Sequence, residues 1–411
     1  MSTVPSRLLG ALLVLALGTA VAGCGKTGVG RSLGGGPTGK LTPVAAQGAV
    51  SVTTRNTARL GGSDPATDAA AVARAVYPGL TATSRPQAVV LVDQRDWSAA
   101  LAASALAGAP LSAPVLYSDG STLPAVSAET LEAMHPTGAR ALGGVQVLRI
   151  GTSASPPSGY LAHSIAAGEP AVTAAAVERL LLAADEGKAP RQAIVLAADA
   201  PRAMQMPAAA LAAESGAPIL FVTAARVPQA TSAALKILHR PSIYVIDPTA
   251  VGGRTLHDLA RLGTVTSIPS VAGAGEREGA IANAIAIARF TDGTFGWGVK
   301  EPGHGLVFAN ATRPLDAPAS ALLSATGDYG PLLLLEAATQ VPPALAGYLG
   351  DIQPAYTAAP EFRPVRGVYN HGWLIGDEQA ISAVTQAEID SVLEISPRKQ
   401  SSEEPSVSPA E

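Results

Sequence analysis

The strongest constraint on the fold of this chain is an internal repeat. Continuous apolar runs at residues 89–92, 194–197 and 306–309 begin 105 and 112 residues apart. A second apolar run follows each of them, at residues 113–117, 217–221 and 330–334. A repeat of this length holds several strands and helices, so the chain is expected to fold as three equivalent modules.

The elements within each repeat indicate the fold class. The apolar runs are short and continuous, as in strands buried on both faces, and they alternate with alanine-rich helical segments. Hydrophobic residues make up 47% of the chain but aromatic residues only 4%, which suits thin layers of helix and sheet. We therefore predict an α/β protein of three tandem Rossmann-like modules, each a parallel sheet between helices. The predicted boundaries are 51–155, 156–265 and 266–396.

The N-terminal residues have the pattern of a secretory signal. Arg7 precedes an apolar run at 8–17, and small residues lead into Cys24, the single cysteine of the chain. The run is too short to span a bilayer, which takes about 20 apolar residues. Residues 21–24, VAGC, resemble the bacterial lipobox, which implies removal of the signal peptide 1–23 and lipidation of Cys24. The alternative is an ordinary signal followed by an unmodified cysteine.

Two further segments are expected to lie outside the modules. Residues 24–50 are rich in glycine and contain no acidic residue, so we predict a flexible tether between the lipid and the folded body. Residues 397–411 are polar and interrupted by proline, which is typical of a disordered tail. Together with the signal, this organisation predicts an extracytoplasmic protein held at a bacterial membrane and facing the cell wall.

Charge and motif content argue against several classes of function. The formal net charge is −4, whereas a nucleic-acid-binding protein needs a basic surface, so no nucleic-acid partner is expected. One cysteine and six histidines without an HxxxH pair form no recognisable metal site. No G-x-S-x-G motif occurs, and we predict no enzymatic activity, although acidic residues far apart in sequence can meet in a fold.

Two glycine-rich stretches only superficially match nucleotide-binding loops. Residues 20–27 fit the loose P-loop pattern, but they lie across the predicted signal cleavage site instead of between a strand and a helix. Residues 273–279 have one residue too many for a dinucleotide-binding fingerprint and occupy the helix entry of the third repeat. We therefore expect no cofactor.

The first repeat carries a family resemblance. Residues 59–64 read Arg-Leu-Gly-Gly-Ser-Asp, and the first apolar strand is followed by the polar loop 93–97 and by Ala-Leu-Ala-Ala at 100–103. This order resembles the cell-wall-binding repeat family (type 2), although Pro65 and Ala66 replace the usual Arg-Tyr. The resemblance implies three modules around a pseudo-threefold axis. It also implies non-covalent binding of cell-wall polymers, which are anionic in known members.

Eight residues are candidates for ligand binding. Some belong to the family-like segment, and others belong to two loops of the third repeat in which aromatic rings and cations occur together. Aromatic faces beside cations suit sugars and anionic polymers. The candidates are Arg59, Asp64, Asp96, Trp97, Trp297, Lys300, Arg363 and Arg366. The structural alternatives are a salt bridge from Arg59 to an acid such as Asp64, and aromatic residues that simply anchor the loops.

The sequence thus predicts a cell-surface lipoprotein that binds cell-wall glycopolymer non-covalently through three modules. An anionic polymer would need a local basic groove, because the chain has 28 cations against 32 acidic residues. The alternative is an extracytoplasmic solute-binding lipoprotein of a transporter, which would have two lobes, a hinge and one aromatic-lined cleft. Three repeats in register favour the wall-binding interpretation.

Replacing Cys24 tests the predicted lipid anchor. The Cys24→Ala variant lacks the thiol that would carry the lipid, so it should accumulate as an unlipidated precursor or leave the membrane fraction. Intact-mass analysis and membrane fractionation measure these two outcomes. An unmodified mature N-terminus at another residue of the wild-type chain would contradict the lipoprotein prediction.

Overall fold

The repeat folds into three parallel sheets, each built around one of the predicted apolar strands. The structure is a computed structural model that describes residues 50–268, 276–325, 330–356 and 369–397. The predicted signal peptide and Cys24 lie outside the described residues, as do nearly all of the predicted tether and tail. No helix among the described residues combines the length and the apolar character that a membrane span requires.

The helices and strands follow the chain in three similar series. The first series is β1 (Val50–Thr53), β2 (Thr57–Gly61), α1 (Pro65–Val76), β3 (Val89–Asp93), α2 (Trp97–Ala103), β4 (Val115–Ser118), α3 (Ala125–Met134) and β5 (Val147–Ile150). The second is β6 (Ala162–Ile165), α4 (Pro170–Ala184), β7 (Gln192–Ala197), α5 (Arg202–Gln205), α6 (Pro207–Ser215), β8 (Ile219–Val222), α7 (Gln229–Ile237), β9 (Ser242–Val245) and α8 (Gly253–Ala260). The third is β10 (Thr264–Ser267), α9 (Glu276–Arg289), β11 (Gly305–Asn310), α10 (Asp316–Ser320), β12 (Leu332–Leu335), α11 (Pro343–Asp351), β13 (Ala355–Tyr356), β14 (His371–Ile375), α12 (Ala383–Leu393) and β15 (Ser396–Pro397).

The three sheets share one strand order. The orders are β4-β3-β5-β6, β8-β7-β9-β10 and β12-β11-β14-β2, and every one of these pairs is parallel. β3, β7 and β11 contain the three apolar runs and occupy equivalent positions in separate sheets. The predicted α/β fold of three Rossmann-like modules is therefore confirmed. β13 and β15 form a separate two-stranded pair.

Each sheet takes its fourth strand from the start of a different repeat. β6 directly precedes α4 in the sequence yet pairs with β5, and β10 directly precedes α9 yet pairs with β9. The fourth strand of the third sheet is β2, which lies near the start of the described chain and pairs with β14. β1 then pairs antiparallel with the outer edge of β2. One backbone ladder thus joins the first and last parts of the described chain.

The fourth strands lack the sequence signal that marks the central strands. β6 reads AHSI and β10 reads TVTS, and three of the four residues of β6 are exposed, so neither strand has a continuous apolar run. A parallel neighbour also needs a crossover connection, here residues 151–161, instead of a tight turn. The strands of one sheet consequently do not all come from one predicted segment. β2, for example, lies within 51–155 but belongs to the third sheet.

Helices of neighbouring modules pack in a cyclic order. The first helix of each module lies against the helix after the central strand of another module: α4 against α2, α9 against α5, and α1 against α10. Near the centre, α6 packs against the 3₁₀ turns Ser104–Ala107 and Ala321–Ser324, which also contact each other. One kind of contact made three times in a closed circuit is the arrangement that a pseudo-threefold axis produces.

Small side chains allow the close packing at the centre. α6 has the sequence PAAALAAES, and its residues 207–213 are all buried. Beside it, a side chain on Gly108 would lie only 2.0 Å from the carbonyl oxygen of Ala213, so this approach of two backbones requires glycine. Alanine and glycine therefore set the distance between the first and second modules, in keeping with the aromatic-poor composition.

A buried ion cluster joins the first and third modules. Arg313 donates from Nε to Asp316 Oδ2 at 2.9 Å, and a terminal nitrogen of the same guanidinium pairs with Asp68 of α1. Both carboxyls are fully buried, and Asp68 also accepts a hydrogen bond from Gly62 N at 2.6 Å. Burial raises the pKa of the Asp316 carboxyl well above its ordinary value, and the nearby Asp68 carboxylate adds to this rise. One guanidinium therefore serves two buried acids, and its loss would leave both without a cation and Asp68 with the Gly62 amide as its remaining donor.

Glu178 of α4 is a buried acid of a different kind. α4 packs against α2, α7 and β8, and Glu178 is fully buried. Neither carboxyl oxygen has a hydrogen-bond partner in the part of the chain that the structure describes. Burial raises the pKa of Glu178 to about 7, against a smaller opposing effect of Arg179. The native state therefore holds this proton more tightly than the unfolded chain does.

This difference predicts a pH-dependent stability that one substitution removes. The pKa of Glu178 is higher in the native than in the unfolded chain, so its contribution to stability is lost as the pH rises through about 7. Glu178→Gln should raise the free energy of unfolding at pH 8 by about 2 kcal/mol and flatten its dependence between pH 5 and 8. Urea denaturation at several pH values measures this. Glu129→Gln, an exposed change on α3, is the control; equal pH profiles in Glu178→Gln and wild type would contradict the prediction.

Candidate functional site

Arg59 lies in β2, and its side chain is held by hydrogen bonds within the protein. Its guanidinium is 1% exposed and donates to Gln386 Oε1 at 3.1 and 2.9 Å, to Gly376 O at 3.1 Å and to Asp377 O at 2.7 Å. Burial lowers its pKa, while the nearby charges of Glu378 and Asp377 act in the opposite direction. Arg59 is therefore not accessible for the ligand contact predicted from the sequence. The salt bridge to Asp64 that we considered as the alternative is not formed either, because its partners are an amide and two carbonyls.

Asp64 and Asp96 are the N-caps of two different helices of the first module. Asp64 accepts from the backbone nitrogens of Ala66 and Thr67 at 3.0 and 3.1 Å, at the start of α1. Asp96 accepts from Ala99 N at 3.0 Å, at the start of α2. An N-cap carboxylate of this kind satisfies backbone donors and complements the helix dipole. Both candidates thus have a local structural role, and the exposed Asp64 retains contact with solvent.

Trp97 belongs to the junction of the first and second modules. Its ring is buried, and Nε1 donates to Gln205 Oε1 at 3.0 Å. Gln205 in turn donates to the carbonyl oxygens of Ala200 and Ala197, at 2.7 and 3.2 Å. This buried chain of hydrogen bonds joins α2 to the loop after β7. The ring is consequently part of a module contact and offers no face to a sugar in this structure.

The loop after α9 is anchored to the second module through aromatic stacking. Phe295 stacks on Tyr244 of β9 with ring centroids 3.8 Å apart and planes 14° apart. The Tyr244 hydroxyl donates to Asp292 Oδ2 at 2.6 Å, and this bond is the main reason that the pKa of Asp292 lies near 2. Trp297 is half-buried against the core, whereas Lys300 is exposed. Loop anchoring therefore accounts for the aromatic residues, and Lys300 remains free to meet a ligand in solvent.

Arg363 and Arg366 lie outside the described residues, so their predicted role stays a prediction. None of the six candidates that the structure describes lines either of the two cavities discussed below. No cluster of three or more His, Cys, Asp or Glu side chains that could hold a metal ion occurs in the described ranges.

A polar cavity lies at the junction of the second and third modules, and we call it the junction pocket. Its volume is about 370 Å³, and it lies between the start of β7, the end of α6 and the loop at 291–296. Its side chains offer hydroxyl, amide and carboxylate groups, which are the partners that sugar hydroxyls require. They are Gln192, Glu214, Ser215, Thr291, Thr294 and Phe295. The sequence did not reveal this pocket, because its residues come from three elements of two repeats.

A larger groove of about 570 Å³ runs between β6 and α4, and we call it the β6 groove. Its walls are mainly apolar, with Leu142 and Ile165 on the sheet side and Val172 and Leu180 on the helix side. His163 and Arg179 are polar members of its lining, and both are exposed. The groove thus differs chemically from the junction pocket.

Three parallel sheets whose helices pack in a closed circuit define a three-repeat α/β protein. Two solved structures share this fold. Cwp8 from Clostridium difficile matches with a TM-score of 0.61 and 14% identity, over 83% of this chain and 52% of that chain. Cwp6 from Clostridium difficile matches with a TM-score of 0.61 and 18% identity, over 85% of this chain and 50% of that chain. At these identities the similarity shows the fold, and this chain spans about half the length of either neighbour.

The comparisons with protein families and with curated proteins give no match.

The contacts of Arg59 predict a large effect of its replacement on stability. Arg59→Met keeps much of the side-chain volume but leaves the Gln386 amide and two carbonyls without donors in a buried place, so the free energy of unfolding should fall by about 3 kcal/mol. Asp64→Ala, which removes only a cap, should cost about 1 kcal/mol. Urea denaturation measures both. A loss below that of Asp64→Ala would show that Arg59 is not a principal structural contact.

Proposed function

We propose that this chain is a cell-surface protein that binds cell-wall glycopolymer non-covalently, anchored to the membrane through a lipid on Cys24. The observation that carries the proposal is the three-module fold shared with Cwp8 and Cwp6, which are cell wall proteins. The signal-like N-terminus and the glycine-rich segment before the modules support a location outside the cytoplasm.

The junction pocket is the site whose chemistry suits a sugar unit of such a polymer. Thr291 accepts from Gly293 N at 3.1 Å and keeps its hydroxyl proton for a sugar, and Glu214 is an acceptor for sugar hydroxyls. The hydroxyls of Ser215 and Thr294 donate to Leu211 O and Asp292 Oδ1, so they meet a sugar as acceptors. The described residues of the lining include a carboxylate and no cation, which favours a neutral sugar unit over an anionic one. Weak contact at one pocket is sufficient, because a repetitive polymer engages many anchored copies of the protein at once.

The solute-binding alternative fits the structure less well. It requires two lobes that close on one aromatic-lined cleft. The described residues instead form three sheets whose helices pack in a closed circuit, and Trp97 and Phe295 are buried in module contacts. We therefore retain wall binding as the proposed function.

Sedimentation with purified cell walls tests the proposal. The Cys24→Ser variant of the chain without its signal peptide removes the lipid as a cause of sedimentation. We expect retention on walls that changes little between low and high salt, because exposed charge pairs are screened by salt but hydrogen bonds to neutral sugars are not. Glu214→Ala should weaken retention about threefold to tenfold, the effect of losing about 1 kcal/mol of hydrogen bonding.

Glu388→Ala provides the matched control, since Glu388 is an exposed acid of α12 outside the pocket. It should retain the wild-type affinity. Retention no better than that of an unrelated acidic protein at low salt would reject wall binding. Strong retention abolished by salt would instead assign binding to an anionic polymer and to exposed cations such as Lys300.

A further inference from the structure

The three sheets are equivalent except at the edge of the fourth strand. In the third sheet, the outer edge of β2 is covered by β1, which runs antiparallel with Val52 opposite Arg59. β6 and β10 hold the same position in the first and second sheets, and neither has an outer partner strand among the described residues. In one module the fold thus shows a strand on this edge, and in the other two no described residue pairs with it.

Matching hydrogen bonds define the equivalent positions of β2 and β6. Gly376 N donates to Leu60 O, and Gly151 N donates to Ile165 O, each at the end of the third strand of its sheet. Ile165 thus corresponds to Leu60, and Ser164 corresponds to Arg59. If a strand paired with β6 in the way that β1 pairs with β2, the residue at the position of Val52 would lie opposite Ser164.

The backbone of β6 is available for such a strand. The carbonyl oxygens of Leu161 and Ile165 accept bonds from the β5 side, so by alternation the N–H and C=O groups of Ala162 and Ser164 point outward. Ala162, His163 and Ser164 are exposed. β6 also contains no lysine or proline, the residues that commonly protect an edge from pairing.

The β6 groove adds an apolar surface beside this edge. Ile165 belongs to both the strand and the groove, and Val172 and Leu180 of α4 face it from the other wall. Thr173 also lines the groove, and its buried hydroxyl has no hydrogen-bond partner in the described part of the chain. Apolar walls with one unsatisfied hydroxyl suit small side chains and a backbone carbonyl. A sugar would find few polar side chains besides His163, Ser164 and Arg179, and would leave most of its hydroxyls unpaired against the apolar walls.

We propose that β6 is a docking edge for an extended polypeptide segment of a partner protein, which pairs antiparallel with β6 and places small apolar side chains in the β6 groove. Backbone pairing supplies most of the interaction, and the groove selects side chains at alternate positions. A polypeptide fits better than a glycan because the outward groups of Ala162 and Ser164 recur at about 7 Å, the two-residue repeat of a strand. This site is independent of the junction pocket.

A peptide with the β1 sequence is the probe, because β1 is the strand that covers the equivalent edge. The labelled peptide GAVSVTTR, residues 48–55, is titrated against the signal-free Cys24→Ser chain while its fluorescence anisotropy is followed. Ser164→Pro removes an outward N–H and no backbone bond to β5, although it also removes the Oγ that accepts from Arg149 at 3.3 Å; it should weaken peptide binding at least tenfold, whereas Ser164→Ala, which loses the same Oγ, should not. Ser267→Pro makes the same change at the corresponding outward position of β10 and should leave binding to β6 unchanged.

Hydrogen exchange reports on the edge without any substitution. The amides of Ala162 and Ser164 should exchange rapidly in the free protein and become protected at least tenfold by the peptide, whereas the inward amides of β6 should change little. Equal binding by wild type and Ser164→Pro, with no protection of these two amides, would overturn the proposal. Protection by soluble wall glycan instead of peptide would reassign the groove to the polymer. Self-association of the chain that Ser164→Pro abolishes would assign the edge to a second copy and overturn the heterologous partner.

Discussion

The architecture depends on the pairing of β2 with β14, because this ladder joins the two ends of the described chain. Side-chain hydrogen bonds stabilise this ladder in addition to its backbone bonds. Arg59 reaches from β2 to the carbonyls of Gly376 and Asp377 after β14 and to Gln386 of α12. The guanidinium thus ties the strand to the segment it must pair with. Without the guanidinium, the third sheet would hold its fourth strand, and with it β1, less firmly.

The contacts between modules use two different kinds of chemistry. At the centre, alanines and Gly108 let backbones approach closely, and the stabilisation comes from buried apolar surface. Between α1 and α10, buried charges meet instead, with Arg313 serving both Asp68 and Asp316. Such a cluster tolerates little change in geometry, because any displacement leaves a buried carboxyl unpaired. The small side chains therefore bring the modules close, and the ion cluster fixes how the first and third are oriented.

The parts of the fold that the sequence predicted are those with a local signal. The central strands carry continuous apolar runs, and Asp64 before Pro65 marks the start of α1. β6 and β10 were not predicted because an exposed edge strand needs no apolar run. The pairing of β2 with β14 was not predicted either, because the two strands lie more than 300 residues apart. The site was less predictable. The junction pocket joins residues from two repeats, and no spacing within one repeat reveals such a meeting.

The family-like segment at residues 59–64 illustrates what a sequence signature of this kind reports. Arg59 fills a buried position in a ladder, and Asp64 caps a helix. Both residues therefore maintain the module, and their presence identifies the fold without locating a ligand. Both surfaces proposed to bind other molecules lie where the repeats differ: the loop at 291–296 lines the junction pocket, and β6, which has no covering strand among the described residues, lines the β6 groove. In this arrangement of three equivalent modules, the proposed recognition surfaces are the places where the equivalence fails.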